Sequence, residues 1–378
     1  MHIVVPDEFN SGETRVPLIP EHAAKLVKAG LEVSVESGLG KKIEVTDDAY
    51  VSAGAKVFSD RNELFRKADI IVRLHKPSKE EINKLKEGCV YASLLDPFNE
   101  KELIETFMER GVSAISMEMI PRTTLAQKMD VLSSQASLAG YVAVILGAER
   151  LNKILPMMMT PAGTIKPAHV FIIGAGVAGL QAIATAKRMG ARVSAFDTRP
   201  VVEEQVKSLG ARFVKVDLGE TGQTEGGYAK ALTGEQLQKQ REEMAKVCAS
   251  ADIVITTAQL FGRKAPVIIT KEMVQGMQPG SVLIDLAVES GGNIEGSRID
   301  KEVDVNGILI IGLTNLPGRV PVHASQMYSA NMFYLIDQYW NAKEKSFNLD
   351  LEDEIIRGCL ITHQKKICNE MILNFYNK

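Results

Sequence analysis

The sequence predicts an α/β protein with two parallel-sheet domains joined by long interdomain helices. Three observations predict it. Short β-branched runs alternate with polar helical stretches through the first 125 residues, the alternation restarts near residue 169, and a glycine-rich turn separates a strand from a helix in the second set. Alternation of this kind argues for parallel strands, because each parallel pair needs a crossover. A length of 378 residues also exceeds one ordinary core.

In the first set, residues 3–5, 32–37, 69–75, 89–95 and 112–119 read as strands. Between them PEHAAKLVKAG, SKEEINKLKEG and NEKELIETFMERG read as helices, each closed by a glycine suited to the position after the last turn. The second set comprises 169–174, 192–197, 212–217, 252–257, 281–287 and 308–313. Helices at about 133–153 and 322–341 are expected to cross between the two sets. If the second crossing returns to the first domain, that domain is discontinuous. The expected boundaries are then 1–133 with 325–378, and 134–324. The stretch DLGETGQTEGGYAKALTGEQ is rich in glycine and polar residues, and so long a connection in an α/β domain reads as a functional loop or a disordered one.

Composition excludes several classes. Apolar residues make up 45% and charged residues 24%, as in a soluble globular protein. Forty-four basic against forty-seven acidic side chains give a formal charge of −3, which offers no general attraction for nucleic acid or anionic membrane. Cys89, Cys248, Cys359 and Cys368 form no C-x-x-C pair and no zinc spacing. The opening MHIVVPDEFN lacks a basic region followed by a long apolar run, so no signal peptide is expected. Together these point to reduced thiols and a cytoplasmic setting. The uncharged run Val131–Ala148 nearly reaches the roughly 20 residues of a membrane span. Its serines, glutamine and glycines, with Asp130 and Glu149 at its ends, favour a buried interdomain helix and no direct membrane insertion.

The most specific signal is FIIGAGVAGLQAIATAKRMGARVSAFDTR. Gly174, Gly176 and Gly179 follow a β-branched strand and open a helix, the context that turns a weak G-x-G-x-x-G match into a Rossmann-like dinucleotide site. Gly174 allows the tight turn, Gly176 lets backbone approach a pyrophosphate, and Gly179 lets helix and strand pack closely. The helix start offers N–H groups and a positive dipole end to phosphate. Asp197 ends the next strand roughly 20 residues on, where a carboxylate accepts from ribose hydroxyls and repels a 2′-phosphate. That favours NAD over NADP, although Arg199 could accommodate the phosphate. The alternative is a plain glycine turn with a surface aspartate.

A nicotinamide enzyme acting on a hydroxy or amino acid needs a proton acceptor and a cation for the substrate carboxylate. His2, His22, His75, His169, His323 and His363 show no partner pattern, and His169, just before the nucleotide strand, reads as structural. A denser cluster is EMIPRTTLAQKMDVLSSQASLAGY, where Arg122, Gln127, Asp130 and Ser133 supply a cation, an amide, a carboxylate and a hydroxyl. This set suits gripping a ligand better than shuttling protons. A helix start capped by Ser133 or Asp130 explains the same residues equally well.

PRTTLAQKMDVLSSQASLAGY, PMMMTPAGT, GAGVAGLQAIATAKRMGA, GGYAK and PGSVLIDLAVESGGN together closely resemble the NAD(H)-binding domain I of proton-translocating nicotinamide nucleotide transhydrogenase, in its separate soluble alpha-1 form. The resemblance covers nearly the whole chain. It implies a subunit that binds NAD(H) and passes hydride directly to NADP(H) on a partner domain, so no acid–base pair is required. It also implies a homodimer, an NADP-binding partner, a separate membrane subunit that couples the transfer to proton movement, and a peripheral place on the cytoplasmic face of the inner membrane. By the same resemblance Arg122, Gln127, Asp130 and Ser133 hold the nicotinamide end, with Gln127 toward the incoming NADP(H). Asp197, Thr198 and Arg199 lie at the adenosine ribose, Val177 lies over the pyrophosphate, and Gln259 is a further cofactor contact. Gly227 and Tyr228 form the tip of a loop that folds over bound nucleotide.

Three stretches depart from the family's pattern. Leu260-Phe261 stands where Ile-Pro is usual, Leu313 stands where a histidine is usual, and the front of the loop before Tyr228 is polar and glycine-rich. Two other readings compete. Alanine dehydrogenases share the opening ETRVPLIPE, but the places of their catalytic lysine and histidine hold His75 and Ser93, and Lys76 is one residue off, on the opposite strand face. A non-catalytic NAD-sensing module needs only the adenosine half of the site, which leaves the Arg122–Ser133 set without a purpose.

Overall fold

The computed structural model describes residues 1–8, 12–216 and 233–377. The front of the long polar loop, with Gly227 and Tyr228, lies outside them. The chain divides into two compact units, Met1–Gln135 with Gly318–Lys378, and Ala136–Pro317.

In the first unit the strands run in the order Lys366–Ile367, Leu360–His363, Ser113–Ser116, Val90–Ser93, Ile70–Val72, His2–Val5, Glu32–Glu36 and Lys56–Phe58. All pair in parallel except the first two, which are antiparallel. The order reverses between Val5 and Val72, because His2–Val5 pairs with Glu32–Glu36 on one side and Ile70–Val72 on the other. Ile3, Val4, Val5, Ile71 and Val72 are fully buried, as a sheet covered on both faces requires. The expected strand 112–119 stops at Ser116, where Met117–Met119 turns into a 3₁₀ helix.

The second unit orders its strands Arg212–Phe213, Arg192–Phe196, His169–Ile173, Ile253–Thr256, Val282–Asp285, Ile308–Gly312 and Lys301–Val305, the last antiparallel. The nucleotide strand His169–Ile173 sits centrally and pairs with both Arg192–Phe196 and Ile253–Thr256. Phe171, Val254 and Leu283 fill the core against Met244, Cys248 and Met273. His169 serves this framework: its N–H donates to Asp252 at 2.7 Å and its ring bonds Ser194 at 2.9 Å.

Helix Val131–Arg150 is long and apolar enough, by length and composition alone, to cross a membrane. In the second unit it packs instead on protein: a Cβ at Gly140 would lie 2.1 Å from the Ala178 carbonyl oxygen, and one at Gly147 would press on Ile253 and Ile284. After it comes a two-stranded hairpin, Met158–Thr160 with Gly163–Ile165, whose residues are all exposed.

Candidate functional site

The glycine turn stands at the carboxyl end of the central strand of the second unit, next to the point where strand order reverses. Gly174 has φ +96°, and a Cβ there would lie 2.4 Å from Thr257 Oγ1. A Cβ on Gly179 would lie 1.9 Å from the Gly174 carbonyl oxygen, so helix and strand meet backbone to backbone. Packing therefore demands both glycines. Gly176 differs: its backbone is extended (φ −79°, ψ −166°), and a Cβ would find no atom within 4 Å. Nothing in the protein requires a glycine here, whereas a ligand brought against the backbone would. It caps helix Val177–Arg188, whose first N–H groups lack intrahelical acceptors, so the residues fit a pyrophosphate.

Asp197 follows strand Arg192–Phe196 directly. Its Oδ2 accepts the Ala175 N–H at 2.7 Å and Arg199 Nη2 at 2.8 Å, and its Oδ1 accepts the Arg199 N–H and Nε at 2.8 and 2.9 Å. The hydrogen bond to Asp197 raises the pKa of the Arg199 guanidinium. Thr198 is half-buried between them. On the next strand Thr257 donates its hydroxyl to the Gly174 carbonyl at 3.1 Å, bracing the turn. Gln259 is exposed and donates to the Leu286 carbonyl at 2.9 Å.

In the first unit, Arg122 and Gln127 are exposed, and Gln127 begins a 3₁₀ turn, Gln127–Met129, pinned by buried Ala126 and Met129. Asp130 accepts the Ser133 N–H at 2.8 Å and its hydroxyl at 2.6 Å, which makes it the cap of helix Val131–Arg150. The capping alternative is thus realised for these two residues. Asn331 locks the loop from helix Pro321–Tyr339: its Nδ2 donates to the Lys128 carbonyl at 2.7 Å while its Oδ1 accepts from Ser134 at 2.7 Å.

Models of the N-terminal and C-terminal domains of the alanine dehydrogenase/PNT family match residues 4–139 and 143–370. The first portion of the split NAD(P) transhydrogenase subunit alpha of Rhodospirillum rubrum is 44% identical over 374 residues, 97% of each chain. The chain belongs to the NAD(P) transhydrogenase alpha-subunit family. The crystal structure of a transhydrogenase from Sinorhizobium meliloti superposes with a TM-score of 0.85 at 39% identity, covering 98% of this chain and 100% of that one. An L-alanine dehydrogenase structure, at 24% identity, shares the fold (TM-score 0.82, covering 100% of this chain and 99% of that one).

In this transhydrogenase-family chain, two buried residues that the sequence did not mark as candidates organise the nucleotide end. Asp285, fully buried, accepts the N–H groups of Ala287, Asn293 and Ile294. Asn293, also fully buried, accepts the Ala258 N–H at 3.0 Å and donates to the carbonyls of Ala258 and Pro266 at 2.9 Å. The pair fixes the segments on either side of Gln259. The run DLAVESGGN carried the signal, since two glycines before an asparagine announce a shaped turn, and both take positive φ. The Leu260-Phe261 departure closes as a tight turn, with the Arg263 N–H on the Leu260 carbonyl at 3.2 Å and Gly262 at φ +64°. Leu313 is half-buried.

Proposed function

We propose that this chain is the NAD(H)-binding subunit of a proton-translocating transhydrogenase. The observation that supports it most is the turn at Gly176, open to a ligand where Gly174 and Gly179 are closed by packing, beside a carboxylate at the end of the next strand. In this reading the first turn of helix Val177–Arg188 binds the pyrophosphate and Asp197 accepts from the adenosine ribose. Thr198, Arg199 and Gln259 lie along the same nucleotide. Arg122, Gln127, Asp130 and Ser133 orient the nicotinamide end, and Gly227 and Tyr228 belong to the loop that covers it. When bound, NADH supplies a hydride to NADP on a partner domain. The chain's residues contribute orientation and exclusion of water, worth roughly 7–11 kcal/mol where reacting groups are held in line.

The same reading places a membrane subunit alongside, couples transfer to proton movement there, and puts this chain peripherally on the cytoplasmic face of the membrane through its partners. It also makes the chain a homodimer. Met157, Met158, Met159 and Ile165 on the hairpin are all exposed, Met159 by 73%, and an isolated two-stranded hairpin is marginal in water without something to pack on.

The test mixes the purified chain with the NADP-binding subunit of a transhydrogenase and follows reduction of an NADP analogue by NADH. Transfer that depends on both proteins is expected. Saturating NADH with no transfer refutes the assignment, and NADH formation from L-alanine and NAD would replace it with amino-acid oxidation.

A further inference from the structure

We propose that the Arg199 guanidinium and the adenosine ribose compete for a single carboxylate, Asp197, so that Arg199 sets specificity by weakening the hold on NAD(H). This rests on the dinucleotide reading above. A carboxylate offers about four acceptor sites, and here all four are taken. The Ala175 and Arg199 main-chain N–H groups take two, and Arg199 Nε and Nη2 take the others.

The two kinds of donor are not equally replaceable. The main-chain N–H groups are fixed by the ends of strands His169–Ile173 and Arg192–Phe196. The guanidinium sits on a rotatable stem. Two ribose hydroxyls donating to Asp197 need two acceptor sites, and only the guanidinium can vacate them. The exchange happens where water is scarce, since the Asp197 and Arg199 side chains are 6% and 15% exposed. Each site lost to the ribose therefore removes a charge-assisted bond from Arg199.

The competition has a sign that depends on the ligand. For NAD(H), breaking the Asp197–Arg199 pair subtracts from binding and favours release. For a nucleotide with a 2′-phosphate, the displaced guanidinium remains within reach of that phosphate and recovers an ionic partner. Removing the guanidinium should then tighten NADH and not NADPH. An arginine that merely shaped the loop, or attracted phosphates, would on removal weaken both.

The experiment uses the full chain as wild type, Arg199→Met, Arg199→Lys and Asp197→Asn. Dissociation constants are measured by calorimetry for NADH, NADPH, 5′-AMP and reduced nicotinamide mononucleotide. Arg199→Met should bind NADH and 5′-AMP about three- to tenfold tighter and NADPH no tighter, with the mononucleotide, which lacks the adenosine ribose, unchanged. Arg199→Lys should fall between, because an ammonium cannot span both carboxylate oxygens; it also carries the test if thermal unfolding shows Arg199→Met to be misfolded. NADH binding equal to or weaker than wild type in the folded arginine variants, while Asp197→Asn loses about tenfold or more, overturns the competition. If Asp197→Asn binds NADH as wild type does, the dinucleotide reading of the site falls, and this proposal with it.

Discussion

The two units build their central strands alike and finish them differently. At the amino end, His2 donates its N–H to Asp69 at 2.7 Å and its ring bonds Ser34 at 2.6 Å, while Lys86 pairs with Asp69. His169 repeats the arrangement with Asp252, Ser194 and Lys153. The registers agree too, Val4 opposite Ser34 and Phe171 opposite Ser194. At the carboxyl end the acid after the second strand again matches: Glu36 accepts the Asp7 N–H at 2.8 Å and pairs with Arg61, as Asp197 accepts the Ala175 N–H and pairs with Arg199.

The difference is three residues. Pro6-Asp7-Glu8 stands where the second unit has Gly174-Ala175-Gly176. Glu8, almost fully buried, turns its carboxylate onto the N–H groups of Leu74 and His75. Burial raises its pKa, against the opposing pull of Arg73. One unit thus fills its crevice with its own acid, and the other leaves room. The lesson is that a shared sheet says little about ligands, and the turn after its central strand says most.

Breaking the comparison where it is sharpest gives the largest effect. Gly176→Val fills the open turn and should raise the NADH dissociation constant by roughly 30-fold or more while moving Tm by no more than about 2 °C. Gly179→Ala, whose Cβ meets backbone, should do the reverse and lower Tm first. Calorimetry and thermal unfolding on the same samples separate the two. The second unit also carries the exposed hairpin. Met159→Lys should turn a dimer into a monomer by sedimentation, and an unchanged mass would remove the hairpin from the interface. In the first unit, Glu8→Ala strands two buried N–H groups and should cost about 1–3 kcal/mol in urea unfolding. NADH affinity should stay within about twofold of wild type; a larger change would tie the first unit's crevice to the nucleotide.

The smallest effect sharpens the likeness. Burial lowers the pKa of His2 and His169 below the ordinary 6.5. The unfolded chain then takes up protons before the folded one as pH falls, so stability is full above 6.5 and declines as pH drops through and below it. Glu8, with its raised pKa, acts in the opposite sense at lower pH. Replacing His169 by Gln should flatten the Tm decline between pH 7 and 5 by on the order of 1 °C. An unaltered slope would show that the ring is not buried neutral.

The glycine turn, the strand before it and Asp197 were legible because each is a local pattern: spacing, β-branching and one acid at a fixed interval. Edge strands were not. Lys301–Val305 alternates charge with valine and lies half to fully exposed, and Lys56–Phe58 has only three residues, so neither offers a buried run to read. The exposed hairpin after Leu155 escaped for the same reason. Asp285, Asn293 and Asn331 act across 8 to 203 positions of sequence, and nothing local marks a buried amide whose partners arrive only on folding. The histidines were legible only as structural, and only by their lack of an acid–base pattern.

Gly140 remains, the residue that lets helix Val131–Arg150 touch the first turn of helix Val177–Arg188 with no side chain between. A contact of backbone on backbone has no slack, so the seat of one helix sets the tilt of the other. A single methyl group at Gly140 would swing the N–H groups around Val177 off their aim. The damage would register as poor affinity, although its origin is a helix that supplies no donor to the phosphates.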